Sequence, residues 1–116
     1  MRISVTNETK KVELAGNTRV AASWRERCIG LLGTQHLAAG EGLWLTPCTS
    51  VHTFFMKYPI DIVFLDTKGL VLSKATLAPW KISSWQRRAA GVLELPAGTL
   101  ARTQTSIGDR LLLKPV

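Results

Sequence analysis

Two carboxylates stand where an apolar run should continue. Asp61 interrupts Tyr58-Pro59-Ile60-Asp61-Ile62-Val63-Phe64-Leu65, and Glu94 interrupts Gly91-Val92-Leu93-Glu94-Leu95-Pro96. A carboxylate in such a setting needs a cation, several hydrogen bonds or a proton of its own. Arg27, Lys57 and His52 are the available partners. Two roles follow. Asp61 and Glu94 could bond backbone amides or an arginine and so lock the topology. Alternatively, Arg27, His52, Asp61 and Glu94 line one polar pocket, as a ligand clamp or an acid/base pair.

A second constellation is Cys48, His52 and Met56, spaced four apart. On an extended strand all three would point to one face. Thiolate, imidazole and thioether make a soft ligand set suited to copper, with His36 and Cys28 as the only other obvious ligands. No close cysteine pair or standard zinc spacing accompanies them. The expected identities are a buried structural cysteine, a satisfied histidine and a core methionine, with no metal and no cofactor. Cys48 and His52 also suggest a nucleophile and its base, which requires an electropositive, accessible thiol. Neither a nucleophile-elbow glycine signature nor a phosphate-cradling glycine loop is present.

The charge is uneven. The chain has 116 residues, with 15 Lys plus Arg against 8 Asp plus Glu, a formal charge of +7. A positive surplus favours anionic partners, an anionic small molecule or a protein, through a salt-sensitive field. Between Asp66 and Glu94 there is no acid, while Lys68, Lys74, Lys81, Arg87 and Arg88 fall there. Residues 79–88 place Trp80 and Trp85 among Lys81, Arg87 and Arg88. Such a loop can bind anions, stack on bases or sit at a lipid headgroup layer, or its tryptophans can pack down as lids on the core.

The elements that must position these groups are short. Ile3 and Val5 alternate with polar residues, as do Val12 and Leu14, and the two runs read as an N-terminal hairpin. Gly16-Asn17 supplies a turn before a short extended run at Val20-Ala21-Ala22. Ser23 reads as a helix N-cap, with Glu26 completing a capping box. Trp24, Cys28, Leu31 and Leu32 fall on one face of the helix that follows, near residues 23–32, with Gly30 inside it and a stop at Gly33. Strands are expected at Leu43–Leu45, Val51–Met56, Ile60–Leu65, Leu70–Leu77, Val92–Leu95 and Arg110–Lys114, with a helical turn over Leu100–Thr105. Tyr58-Pro59 separates two strands, because proline cannot donate to a central ladder. In the third, Asp61 shares a face with Val63 and Leu65 and is buried if both faces are covered. The fold class is α+β: a mostly antiparallel, curved sheet or half-closed barrel of about seven short strands with one main helix.

Length and composition exclude several classes. One domain spanning residues 1–116 is expected, and 46% hydrophobic with 20% charged residues is an ordinary globular balance. Two cysteines do not make a disulfide scaffold, and no apolar run reaches the ~20 residues of a membrane helix. The chain opens on its first strand, without a continuous apolar stretch of signal-peptide length, so the cytoplasm is the expected location and a Cys28–Cys48 disulfide is not expected.

Five blocks occur in order along the chain: Arg27-Cys28-Ile29-Gly30-Leu31-Leu32-Gly33; Gly40-Glu41-Gly42-Leu43-Trp44; Val51 through Asp66, containing His52, Met56 and Asp61; Val92-Leu93-Glu94-Leu95-Pro96-Ala97-Gly98; and Gly108-Asp109. Together they resemble the domain of unknown function 192 family. The resemblance covers nearly the whole chain, although Phe55 stands where many members carry tryptophan. It implies a small α+β domain with a curved, largely antiparallel sheet and no established activity, and its blocks contain Arg27, His52, Asp61 and Glu94.

Three functions fit these residues. The first is a non-catalytic small-ligand or partner-binding accessory domain, with its pocket at Arg27, His52, Asp61 and Glu94. The second is a small Cys/His-dependent hydrolase or transferase. The third is a nucleic-acid-associated protein that uses the loop at 79–88.

Overall fold

The computed structural model describes residues 1–23, 26–27, 30 and 36–116. Seven strands form one sheet: β1 (Arg2–Asn7), β2 (Val12–Ala21), β3 (Glu41–Leu45), β4 (Ile60–Leu65), β5 (Val71–Leu77), β6 (Gly91–Pro96) and β7 (Leu111–Pro115). A short helix, α1 (Thr99–Thr103), lies between β6 and β7. The strand order is β5-β4-β6-β3-β2-β1-β7, antiparallel throughout except for the parallel β2–β3 pair. The sheet is therefore mixed, and it curls into a half-barrel.

Its two edges meet at one end. Val71 N–H donates to Asp109 O at 2.8 Å, Gly108 N–H to Val71 O at 2.9 Å and Leu111 N–H to Gly69 O at 2.8 Å. Gly69 permits this approach, since a Cβ there would lie 2.2 Å from the Leu111 carbonyl oxygen. These bonds satisfy backbone groups that an open edge would leave unpaired.

Alternation along the central strands divides the core in two. One face carries Val63, Leu65, Leu93 and Leu95, which pack with Ile3, Val5, Leu14, Leu100 and Leu111. The other carries Leu43, Leu45, Ile60, Ile62, Phe64 and Val92, covered by Val51 and Met56 from the segment after β3. Burying each such side chain contributes roughly 1.5–3 kcal/mol before conformational entropy is counted.

Three local expectations differ from the structure. Gly16-Asn17 is not a turn, because β2 runs through it, using β1 as partner early and β3 later. Register shifts against Ile3 and Val5 absorb the irregularity. Residues 51–56 are not a strand; only His52 forms a bridge, to Ile82. Met56 N–H bonds back to Thr53 O at 3.1 Å, and Phe55 adopts a φ of 66°, so the chain turns where the composition suggests a strand. Gly30 takes a φ of 53°, left-handed backbone rather than a position inside a regular helix. The capping box is present: Glu26 N–H donates to Ser23 Oγ and Ser23 N–H to Glu26 Oε1, both at 3.1 Å. The face formed by Trp24, Cys28, Leu31 and Leu32, and the stop at Gly33, lie outside the described residues.

Candidate functional site

Glu94 lies in the middle of β6, paired with Leu43 on one side and Ile62 on the other. Paired residues in a sheet point to the same face, so its carboxyl enters an apolar row. It is 3% exposed. Burial disfavours the charged form, and here it raises the pKa from 4.5 to about 8. Near neutral pH the group is mainly a neutral acid, able both to donate and to accept a hydrogen bond.

Two other sequence-selected residues share its surroundings. Cys48 follows β3 and is half-buried, a free thiol that donates to Ser50 O at 3.1 Å. Desolvation raises its pKa, Glu94 adds to that rise, and Arg27 opposes it. The Cys48 thiol therefore lies within electrostatic reach of both Glu94 and Arg27. Arg27 follows the capping pair, with its N–H on Ser23 O at 3.0 Å and its Nη1 on Ala22 O at 2.6 Å. Gly30 is beside them, since a Cβ there would come within 4.0 Å of Glu94 Oε1. Arg19 reaches across from β2 to donate to Gly30 O at 3.3 Å.

Asp61 is elsewhere. It pairs with Leu95, one position out of step with Glu94, and so faces the opposite side of the sheet. Its Oδ1 accepts from Thr76 Oγ1 at 2.6 Å. Its Oδ2 accepts from the N–H groups of Gly98 at 3.1 Å and Leu100 at 2.9 Å. Those amides begin α1, whose own N-cap, Gly98, has no side chain to cap them. A carboxylate from a distant strand thus performs the capping.

His52 is exposed and turns away from the core that its neighbours Val51 and Thr53 enter. Its Nδ1 accepts from Phe54 N–H at 3.2 Å, and its ring stacks on Phe54 with centroids 4.9 Å apart. Met56 is buried in the outer core, so Cys48, His52 and Met56 do not share the extended face that the spacing suggested. Among the described residues no cluster of His, Cys, Asp and Glu could hold a metal ion. Trp80, Lys81, Trp85, Arg87 and Arg88 are all exposed on the loop before β6. Trp85 is anchored by an Nε1–H bond to Thr49 Oγ1 at 3.0 Å.

Two features escaped the sequence reading. Asn7, fully buried, donates to Thr105 Oγ1 at 3.2 Å and to Asp109 Oδ2 at 2.9 Å. Lys10 Nζ and Ser106 N–H reach the same oxygen at 2.8 and 2.9 Å. Against an upward pull from desolvation, these bonds hold the Asp109 carboxyl down at about 2. The signal was available, because the alternation that turns Ile3 and Val5 inward does the same to Asn7. The other is a cleft of about 460 Å³ beside the seam, lined by Trp44, Leu65, Lys68, Leu111 and Leu113 among others. No local pattern announces it, since its walls come from four separate segments.

Comparison with known proteins gives one family. Residues 4–113 match the model of DUF192, described as an uncharacterized ACR. A UPF0127 protein of Pyrococcus horikoshii is 31% identical over 112 residues, which covers 92% of this chain and 96% of that one. A crystal structure of a protein of unknown function from Novosphingobium aromaticivorans aligns with a TM-score of 0.78 at 21% identity, covering 97% of this chain and 84% of that one. A Sinorhizobium meliloti structure, described as a "putative transcription regulator", aligns with a TM-score of 0.82 at 25% identity, covering 97% and 92%.

Proposed function

The chain belongs to the DUF192 family, and on that premise we propose that it is a single-domain, non-catalytic binding protein whose site for a small anionic molecule is formed by Arg27, Cys48 and Glu94. The observation that carries this reading is the carboxyl of Glu94, buried in the sheet with its pKa pushed up to about 8, next to Cys48, whose thiol lies in the field of both Glu94 and Arg27. Arg27 supplies a fixed positive charge with a planar fork of donors that matches a carboxylate. Neutral Glu94 supplies a hydrogen-bond donor without opposing charge. A small carboxylate satisfies both groups, and Gly30 leaves space where a side chain would approach Glu94.

The Cys/His alternative has less support. A nucleophilic thiol needs a lowered pKa, whereas burial and Glu94 raise that of Cys48. A free half-buried thiol fits a protein of the reducing cytoplasm.

Thermal unfolding in the presence of acetate, malonate or inorganic phosphate tests the reading. A ligand at a hundred times its Kd stabilises by about 2.7 kcal/mol. The expected result is a rise in Tm with a carboxylate near neutral pH. That rise disappears in Arg27→Ala, and it also disappears above about pH 9, where Glu94 ionises and repels the anion. A wild-type protein indifferent to all three anions, or a rise that survives Arg27→Ala, removes the proposal.

A further inference from the structure

A different part of the molecule carries a second surface. The segment after β3 and the loop before β6 are laced together: Thr53 N–H donates to Lys81 O, Ser83 N–H to Val51 O and Gln86 N–H to Thr49 O, each at 2.8 Å. The underside of this pair buries Val51 and Met56 on the core. Its upper side leaves Phe55 70%, Trp80 58%, Ile82 68% and Trp85 70% exposed.

These side chains are held outward at a cost. Phe55 has a φ of 66° and Trp80 a φ of 65°, both in the left-handed region that bulky residues avoid. Each such residue stores backbone strain. Both turns depend on one buried residue, Thr53. Its carbonyl accepts from Met56 N–H at 3.1 Å and Trp80 N–H at 2.9 Å. Its hydroxyl donates to Ala78 O at 2.6 Å and accepts from Lys81 N–H at 2.9 Å. Strain that keeps aromatic rings in water does nothing for the core, so its use lies outside the folded chain.

The charge around the rings is of one sign. Residues 42–60 and 67–93 contain no Asp or Glu, and Lys57, Lys81, Arg87 and Arg88 are exposed there. The rings are also packed on each other: Phe55 and Trp80 have centroids 4.6 Å apart, and Phe54 and Trp80 6.1 Å. Bases stack on open ring faces. Here Trp80 shares its ring with Phe54 and Phe55, and Ile82 has no ring face to offer. Exposed apolar side chains on two laced segments that also carry cations match the boundary between headgroups and acyl chains in an anionic bilayer.

We propose that residues 52–57 and 79–88 form a peripheral docking tip for anionic lipid surfaces, with Phe55, Trp80 and Ile82 entering the interface and Lys57, Lys81, Arg87 and Arg88 contacting the headgroups. Among the described residues no helix is long and apolar enough to cross a membrane. Attachment through this tip does not depend on the site at Glu94.

The test is flotation of the full chain with vesicles of phosphatidylcholine alone or mixed with phosphatidylglycerol, alongside tryptophan emission. The wild type floats with the mixed vesicles, its emission shifts to the blue, and added salt releases it. Phe55→Gly combined with Trp80→Gly lowers the lipid partition coefficient at least ~10-fold. Glycine accepts the left-handed backbone, so this variant keeps its fold and its thermal midpoint. Lys81→Glu with Arg88→Glu abolishes the preference for anionic vesicles. The proposal is overturned if the wild type ignores anionic vesicles or if the glycine pair floats equally well. It is also overturned if the same substitutions instead abolish binding to mixed-sequence single-stranded RNA, or self-association, in a protein that does not float.

Discussion

Asp61 and Glu94 occupy neighbouring strands one position out of step, so the two buried carboxyls point to opposite faces of the sheet. Their chemistry separates accordingly. Asp61 finds three donors and closes the start of α1. Glu94 lies among Leu43 and Ile62, and burial drives it toward the neutral form.

Glu94 makes stability depend on pH. Its folded pKa of about 8 exceeds the ordinary 4.5. Between those values the folded chain keeps a proton that the unfolded chain has lost, so this contribution is complete below about pH 4.5 and declines until about pH 8. Glu94→Gln keeps the shape without the titration. Urea unfolding should show the variant more stable than the wild type at about pH 9, by a few kcal/mol at most given ~1.4 kcal/mol per pKa unit. Near pH 5 the difference should largely vanish.

Cys48 should alkylate slowly near neutral pH. Burial and the Glu94 carboxyl raise its pKa, and Arg27 opposes them. In a Cys28→Ser background, where one thiol reports, the rate of reaction with iodoacetamide should rise with pH to a midpoint above that of a free thiol. Glu94→Gln should move that midpoint down and Arg27→Ala should move it up. A midpoint indifferent to both changes would contradict the electrostatic grouping.

Asp61→Ala should destabilise by about 2–4 kcal/mol, since it leaves two amides and a hydroxyl without their acceptor. Hydrogen exchange at the Leu100 amide should accelerate more than exchange in β1. Thr76→Val removes one donor and should cost about 1 kcal/mol.

Gly69→Ala tests the seam. The added Cβ would meet the Leu111 carbonyl at 2.2 Å, on a backbone whose φ of 82° already disfavours a side chain. The clash and the strain together should cost about 3 kcal/mol. Gly40→Ala has a similar φ of 85° but meets nothing within 4 Å, so backbone strain alone, about 1 kcal/mol, should remain. Thermal melts of the two variants separate these contributions.

Much of this was legible locally. Alternation marked β1, continuous apolar runs marked β4 and β6, Pro59 marked the start of β4, and Ser23 with Glu26 marked a cap, because each depends on neighbours in the chain. Residues 51–56 were misread for the same reason. Their β-branched and aromatic side chains favour a strand, but Thr53 bonds to Ala78, Trp80 and Lys81, which no local window contains.

By itself the sequence determined that Asp61 and Glu94 would be out of place, that a half-barrel of short strands would form, and that positive charge would collect before β6. Only the tertiary structure decided what surrounds each carboxyl. Alternation assigns a residue to a face, but the register between β4 and β6 sets which groups meet there. Asp61 receives amides from residues 37 and 39 positions away, whereas Glu94 is enclosed by apolar side chains from β3 and β4.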